Sequence, residues 1–140
     1  MKSIDLLNEY GKSRNLQLNE DEFSLLVTLY PAVLVATADH VFDNEEKEYI
    51  ADVVASSSLE LYENEEQAEK LAGILFNELL FLSQTDNQWQ EKFLSVLAEE
   101  LDSEDKDELK KILLETAEVS KGISTEEKDE INRIMKIINQ

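Results

Sequence analysis

The sequence predicts an all-α fold, on three observations. Only 3 Gly and 1 Pro occur in 140 residues, too few for the tight turns that β-hairpins require. Leu, Glu, Ala and Lys, which are good helix formers, are abundant. Helix-start signals also recur, each a short polar residue that can accept from a free backbone amide, with an acid or amide three residues later to reciprocate. Five such pairs are present: Asn19 with Glu22, Asp43 with Glu46, Asn64 with Gln67, Thr85 with Gln88, and Ser124 with Glu127. Ser103, followed by Glu104 and Asp105 to complement the helix dipole, is a sixth start. A first short helix from about Ser3 to Tyr10 brings the expectation to roughly seven helices with short connections. We read residues 1–140 as a single compact helical bundle.

The apolar pattern suggests how the helices pack. After Asn64, the residues Leu71, Ile74, Leu75, Phe76, Leu79, Leu80, Phe81 and Leu82 cover nearly the whole circumference of a helix, which predicts that this segment is central. The stretch from Phe23 to Val35 is similarly apolar, and Pro31 within it predicts a kink or break at Tyr30. The last three segments, with Trp89, Phe93 and Leu97, with Leu109 and Leu113, and with Ile131, Ile134 and Ile138, read as ordinary amphipathic helices.

Charge narrows the function classes. The chain has 13 Lys and Arg against 32 Asp and Glu, a net charge of −19, yet 42% of it is hydrophobic, which excludes intrinsic disorder. An acidic excess of this size argues against a nucleic-acid partner or an anionic membrane, because both need clustered bases. The longest uncharged stretch, from Phe23 to Ala38, is shorter than a bilayer span, so no membrane insertion is expected. There is no Cys, hence no disulfide framework or thiolate nucleophile, and Met1-Lys2-Ser3 is not followed by a signal-peptide run; the expected location is cytoplasmic.

Residues for catalysis are sparse. His40 is the only histidine, so no His-pair zinc site can form, and Gly11, Gly73 and Gly122 are isolated rather than grouped in a phosphate loop. Glu78, inside an apolar run, is the one carboxylate whose surroundings suggest a raised pKa. A non-enzymatic protein with no organic cofactor is expected.

One internal repeat stands out. Ala38-Asp39 through Phe42, Asp43 and Glu45-Glu46-Lys47 matches Ala117-Glu118 through Ile123, Ser124 and Glu126-Glu127-Lys128, with two extra residues in the second loop. Each copy places a small residue and an acid at a helix exit, one apolar residue in the loop, and an N-cap opening the next helix. Asp43 and Glu46 are explained by a capping box worth about 1 kcal/mol. Asp39 and Glu118 lie where the helix dipole disfavours an anion. A weakly held divalent cation of the calcium or magnesium type, on Asp39, Asp43 and Glu46 or on Glu118 and Glu127, would offset that cost. Solvation of Asp39 and neutralisation of Glu118 by Lys121 would do so too, and the residues leave both accounts open. An EF-hand is excluded, since a loop starting at Asp39 has Val41 at its third place, Asn44 where Gly is needed and Ile50 where a bidentate Glu is needed.

On the motif Ala36-Thr37-Ala38-Asp39 with Asp43 to Glu46, and its copy Ala117-Glu118 with Gly122 to Glu127, the chain resembles the tellurite-resistance TerB family, itself related to the amino-terminal domain of DjlA-type co-chaperones. It departs from that pattern at His40, where Gly is usual, and at Glu118, which replaces Asp. The resemblance implies a duplicated all-helical domain, acidic residues proposed to hold metal cations, and a protein partner within a membrane-associated stress-response complex. A second reading from another class is an acidic inhibitor or immunity-type protein that blocks a basic partner or imitates nucleic acid. Charge placement separates the two: the first needs the duplicated loops to converge, the second a continuous acidic face.

Overall fold

Most of the helices start where a side chain takes up the first free amides. The computed structural model describes residues 2–39, 41–84, 88–119 and 122–140. It contains α1 (Ser3–Arg14), α2 (Glu20–Ala36), α3 (Asn44–Leu61), α4 (Glu65–Gln84), α5 (Gln90–Glu100), α6 (Ser103–Glu118) and α7 (Thr125–Ile138), and no strand among the described residues. Complete capping boxes open α2, α3 and α7 at Asn19, Asp43 and Ser124. Asn64 accepts from the Gln67 amide at 2.9 Å at the start of α4.

Three boundaries differ from the sequence reading. Asp102, not Ser103, caps α6, its carboxylate accepting from the Asp105 amide at 2.8 Å; an anion there is favoured by the helix dipole as well as by the hydrogen bond. α5 begins after Trp89 with no side-chain cap, and the expected cap at Thr85 lies outside the described residues. α1 runs four residues past Tyr10 and closes on Asn15 in the left-handed region (φ 53°), where the Leu16 amide donates to the Gly11 carbonyl at 2.8 Å. Gly11 allows that return, because a Cβ there would stand 3.0 Å from the Leu16 oxygen.

The central helix is α2, not α4. α2 packs against all six other helices, whereas α4 packs against α2 and α3. Every residue from Leu29 to Ala36 is buried, and Pro31 sits inside an unbroken helix. The missing Pro31 amide costs one hydrogen bond, but burial on all sides leaves the segment no alternative course. On α4 the apolar ring is only partly covered: Leu71, Leu75, Leu79 and Leu82 are buried, while Ile74, Phe76, Leu80 and Phe81 are half-buried.

One hydrophobic cluster draws on all seven helices. Its aromatic centre joins α1, α2 and α5: the Tyr10 ring lies 4.9 Å from Trp89 and 5.4 Å from Phe93, and Tyr30 lies 5.1 Å from Phe93, all near edge-to-face. Such pairs add about 0.5–1.5 kcal/mol to the gain from burial. The indole nitrogen of Trp89 is buried without a hydrogen-bond partner among the described residues. Among those residues no helix is long and apolar enough to cross a membrane.

Leu26 on α2 and Leu75 on α4 are both fully buried. Replacing either with Ala should cost about 2–5 kcal/mol in urea denaturation, as expected when a buried Leu leaves a cavity. A cost near zero would show that the position is not enclosed.

Candidate functional site

The two repeated junctions are built alike. In the first, α2 ends at Ala36, a short loop follows, and Asp43 opens α3; in the second, α6 ends at Glu118 and Ser124 opens α7. The Glu46 amide donates to Asp43 Oδ1 at 2.8 Å, and the Glu127 amide donates to Ser124 Oγ at 3.1 Å. The return bonds run from the Asp43 amide to Glu46 Oε1 at 3.3 Å and from the Ser124 amide to Glu127 Oε1 at 3.0 Å. The likeness extends into the preceding helices: Thr37 and Thr116, at equivalent positions, each donate to the carbonyl four residues back, Val33 at 2.8 Å and Ile112 at 2.7 Å. Four residues after the glutamate of each capping box, Ile50 and Ile131 are both buried.

The junctions also converge. Glu46 and Glu127 are buried, 2% and 4% exposed, and their carboxyls face each other within hydrogen-bonding reach. Two carboxylates cannot share a hydrogen bond without a proton, so one of the pair is held neutral. The burden falls on Glu46, whose pKa burial pushes up to about 8, with the charges of Asp43 and Glu127 adding to the rise and the Asp43 amide opposing it. The two glutamates occupy equivalent places in the sequence repeat, the third residue of each capping box.

The remaining candidate ligands are placed separately. Asp39, beyond the end of α2, accepts from the Val41 amide at 3.0 Å and is exposed. Glu118, the last residue of α6, is also exposed. Asp43 and Glu127 are engaged in their caps as described. Among the described residues no three of His, Cys, Asp or Glu stand together so as to hold a metal ion. His40 and Lys121, the latter expected to neutralise Glu118, lie outside the described residues. Gly122 adopts φ +79°, which accounts for a glycine in the longer second loop.

Each junction borders a hollow lined by equivalent residues. Beside the first is a cleft of about 510 Å³ with Phe42 and Lys47 in its wall, the ammonium 5.5 Å from the ring centre. Beside the second is one of about 320 Å³ with Ile123 and Lys128, the counterparts of Phe42 and Lys47, together with Leu114 and Lys110. Ile123 and Leu114 remain 39% and 38% exposed. The Val35 that corresponds to Leu114 is fully buried. The first junction has α4 packed on both of its helices, α2 and α3, and α4 does not pack on α6 or α7.

Glu78 has a structural role that sequence spacing did not show. It is 7% exposed and accepts from the Tyr10 hydroxyl at 2.8 Å and from Arg14 Nε and Nη2 at 2.8 and 3.2 Å. The Arg14 guanidinium carbon lies over the Phe81 ring, 3.5 Å from its centre. The carboxylate thereby fastens α1 to α4, and burial together with its negative charge pushes the Tyr10 hydroxyl well above the usual phenol range. The partners lie 68 and 64 residues away, beyond the reach of any local pattern.

No family model, curated protein or solved structure matches the chain.

Two outcomes follow from the buried carboxyls. Glu46 binds its proton more tightly in the folded state, to a pKa of about 8 against 4.5 ordinarily. Folding is therefore least opposed by this group below the ordinary value, and stability falls as pH rises from about 4.5 to 8, by on the order of a few kcal/mol. Glu46→Gln keeps the acceptor and supplies an N–H in place of the shared proton, so it should flatten that slope and raise the melting temperature at pH 8. An unchanged slope in thermal melts would remove Glu46 as its source. Separately, Glu78→Ala should destabilise by about 2–3 kcal/mol in urea denaturation, since it strands the buried Tyr10 hydroxyl and the half-buried Arg14.

Proposed function

We propose that the chain is a non-enzymatic helical module of the TerB-like type that recognises a protein partner at its duplicated junctions. The observation that carries this reading is the convergence of the two junctions on the Glu46–Glu127 contact, each with its own hollow edged by an apolar loop residue and a lysine. Convergence is what the module reading requires and an inhibitor with a single acidic face does not.

The reading assigns the acids of the junctions to folding and recognition rather than to cation chemistry. Asp43, Glu46 and Glu127 are spent on capping, and Asp39 on its own loop. The second hollow is the better docking surface, because Leu114 and Ile123 leave apolar area in water, whereas Val35, the counterpart of Leu114, is fully buried. The resemblance to the TerB family supports placing such a partner in a membrane-associated stress-response complex.

Co-purification of the tagged chain from its native host tests the reading. Leu114→Asp with Ile123→Asp, both at exposed positions, should abolish recovery of the bound protein while leaving the helical circular dichroism signal intact. Recovery of the same partner by the double variant would overturn it.

A further inference from the structure

The α3–α4 hairpin carries a second surface, separate from the junctions. Its two helices approach closely enough to leave a groove of about 330 Å³ with a floor of Ala55, Ala68 and Ala72 and walls of Leu59, Glu65 and Glu69. Leu59 is 49% exposed, and no contact within the fold explains a leucine there. Glu65, in the first turn of α4, suits the helix dipole, but Glu69, a turn later, gains little from it. The other wall ends unfavourably for the chain by itself: α3 has no base in its last turn, and Glu60 adds a negative charge to the carbonyl end of the helix.

The charge around the groove is one-sided. Residues 44–84 contain ten acids against two lysines, whereas residues 103–138 contain ten acids against seven bases. Eight of the ten acids of the hairpin are exposed; the two buried are Glu46 and Glu78. Neither Glu65 nor Glu69 has a hydrogen-bond or ion-pair partner among the described residues. An apolar floor with acidic walls is complementary to a helix that presents an aliphatic stripe flanked by Lys or Arg.

We propose that the groove between α3 and α4 docks a basic amphipathic helix of a protein partner, its aliphatic stripe on Ala55, Ala68 and Ala72 beside Leu59 and its bases on Glu65 and Glu69. A helix suits this site better than an extended strand, since a furrow between two packed helices accepts the side-chain ridges of a third. The net charge of −19 speeds the encounter with such a partner and repels acidic competitors. This proposal stands independently of the junction reading, because none of the groove residues belongs to either junction.

The test uses the whole protein and a synthetic helix of about four turns, with leucines on one face and lysines elsewhere. Two control peptides are used, one with the same composition and the stripe scrambled, the other with glutamate in place of lysine. Calorimetric titration should show saturable one-to-one binding of the striped basic peptide, with backbone amide shifts confined to residues 55–72. Scrambling the stripe should weaken binding at least tenfold, raising the salt concentration should weaken it further, and the acidic peptide should not bind. Ala55→Leu, which fills the groove without changing charge, Leu59→Ser, and the pair Glu65→Gln with Glu69→Gln each alter exposed residues and should each lower affinity about tenfold or more. Absence of saturable binding, shifts spread over the whole acidic surface, equal binding of the scrambled peptide, or variants that bind like the parent would each overturn the proposal.

Discussion

The burial of the second half of α2 on every side is the constraint on which the rest of the fold depends. A helix that touches six others must be apolar around its whole circumference, and from Leu29 to Ala36 it is. That stretch has no solvent face to carry recognition, and α2 meets solvent in its first two turns, where Glu20, Asp21 and Ser24 are exposed. The same enclosure keeps Pro31 within the helix: the missing amide hydrogen bond is small beside the packing that surrounds it.

The duplicated junctions show how a local device acquires a long-range effect. A capping box is satisfied within four residues and would fold identically in isolation. Here the third residue of each box also points inward, and the two glutamates meet in a dry setting that neither loop alone provides. The caps thereby bring the start of α3 to the start of α7, two helices that do not otherwise pack on each other among the described residues. Glu46 is neutral beside Glu127 only while it keeps its proton, so the link depends on acidity in a way that ordinary caps do not.

What was legible in the sequence was local, and what was not was relational. Asn19, Asp43, Asn64 and Ser124 were readable as helix starts because their hydrogen bonds close within three residues. The order of burial was not, since α2 and α4 are both apolar and composition cannot say which one is surrounded. Glu78 was noticeable as a carboxylate in an apolar run, but its partners Tyr10 and Arg14 come from another helix. Asp39 and Glu118 were singled out for standing at helix exits, and the fold leaves both on the surface while drawing Glu46 and Glu127 together.

Trp89 gives the molecule an internal reporter. It is the single tryptophan, enclosed at 4% exposure, edge-on to Tyr10 and with the Lys92 ammonium 5.3 Å from its ring centre. Its emission therefore responds to the seating of α1, the helix held at one side by Glu78 and at the other by the Lys92–Glu9 ion pair. Loosening of that helix alone would shift the fluorescence towards that of a solvated indole while most of the helical ellipticity persisted. Comparing fluorescence with ellipticity thus separates detachment of the first helix from collapse of the bundle, without any label added to the chain.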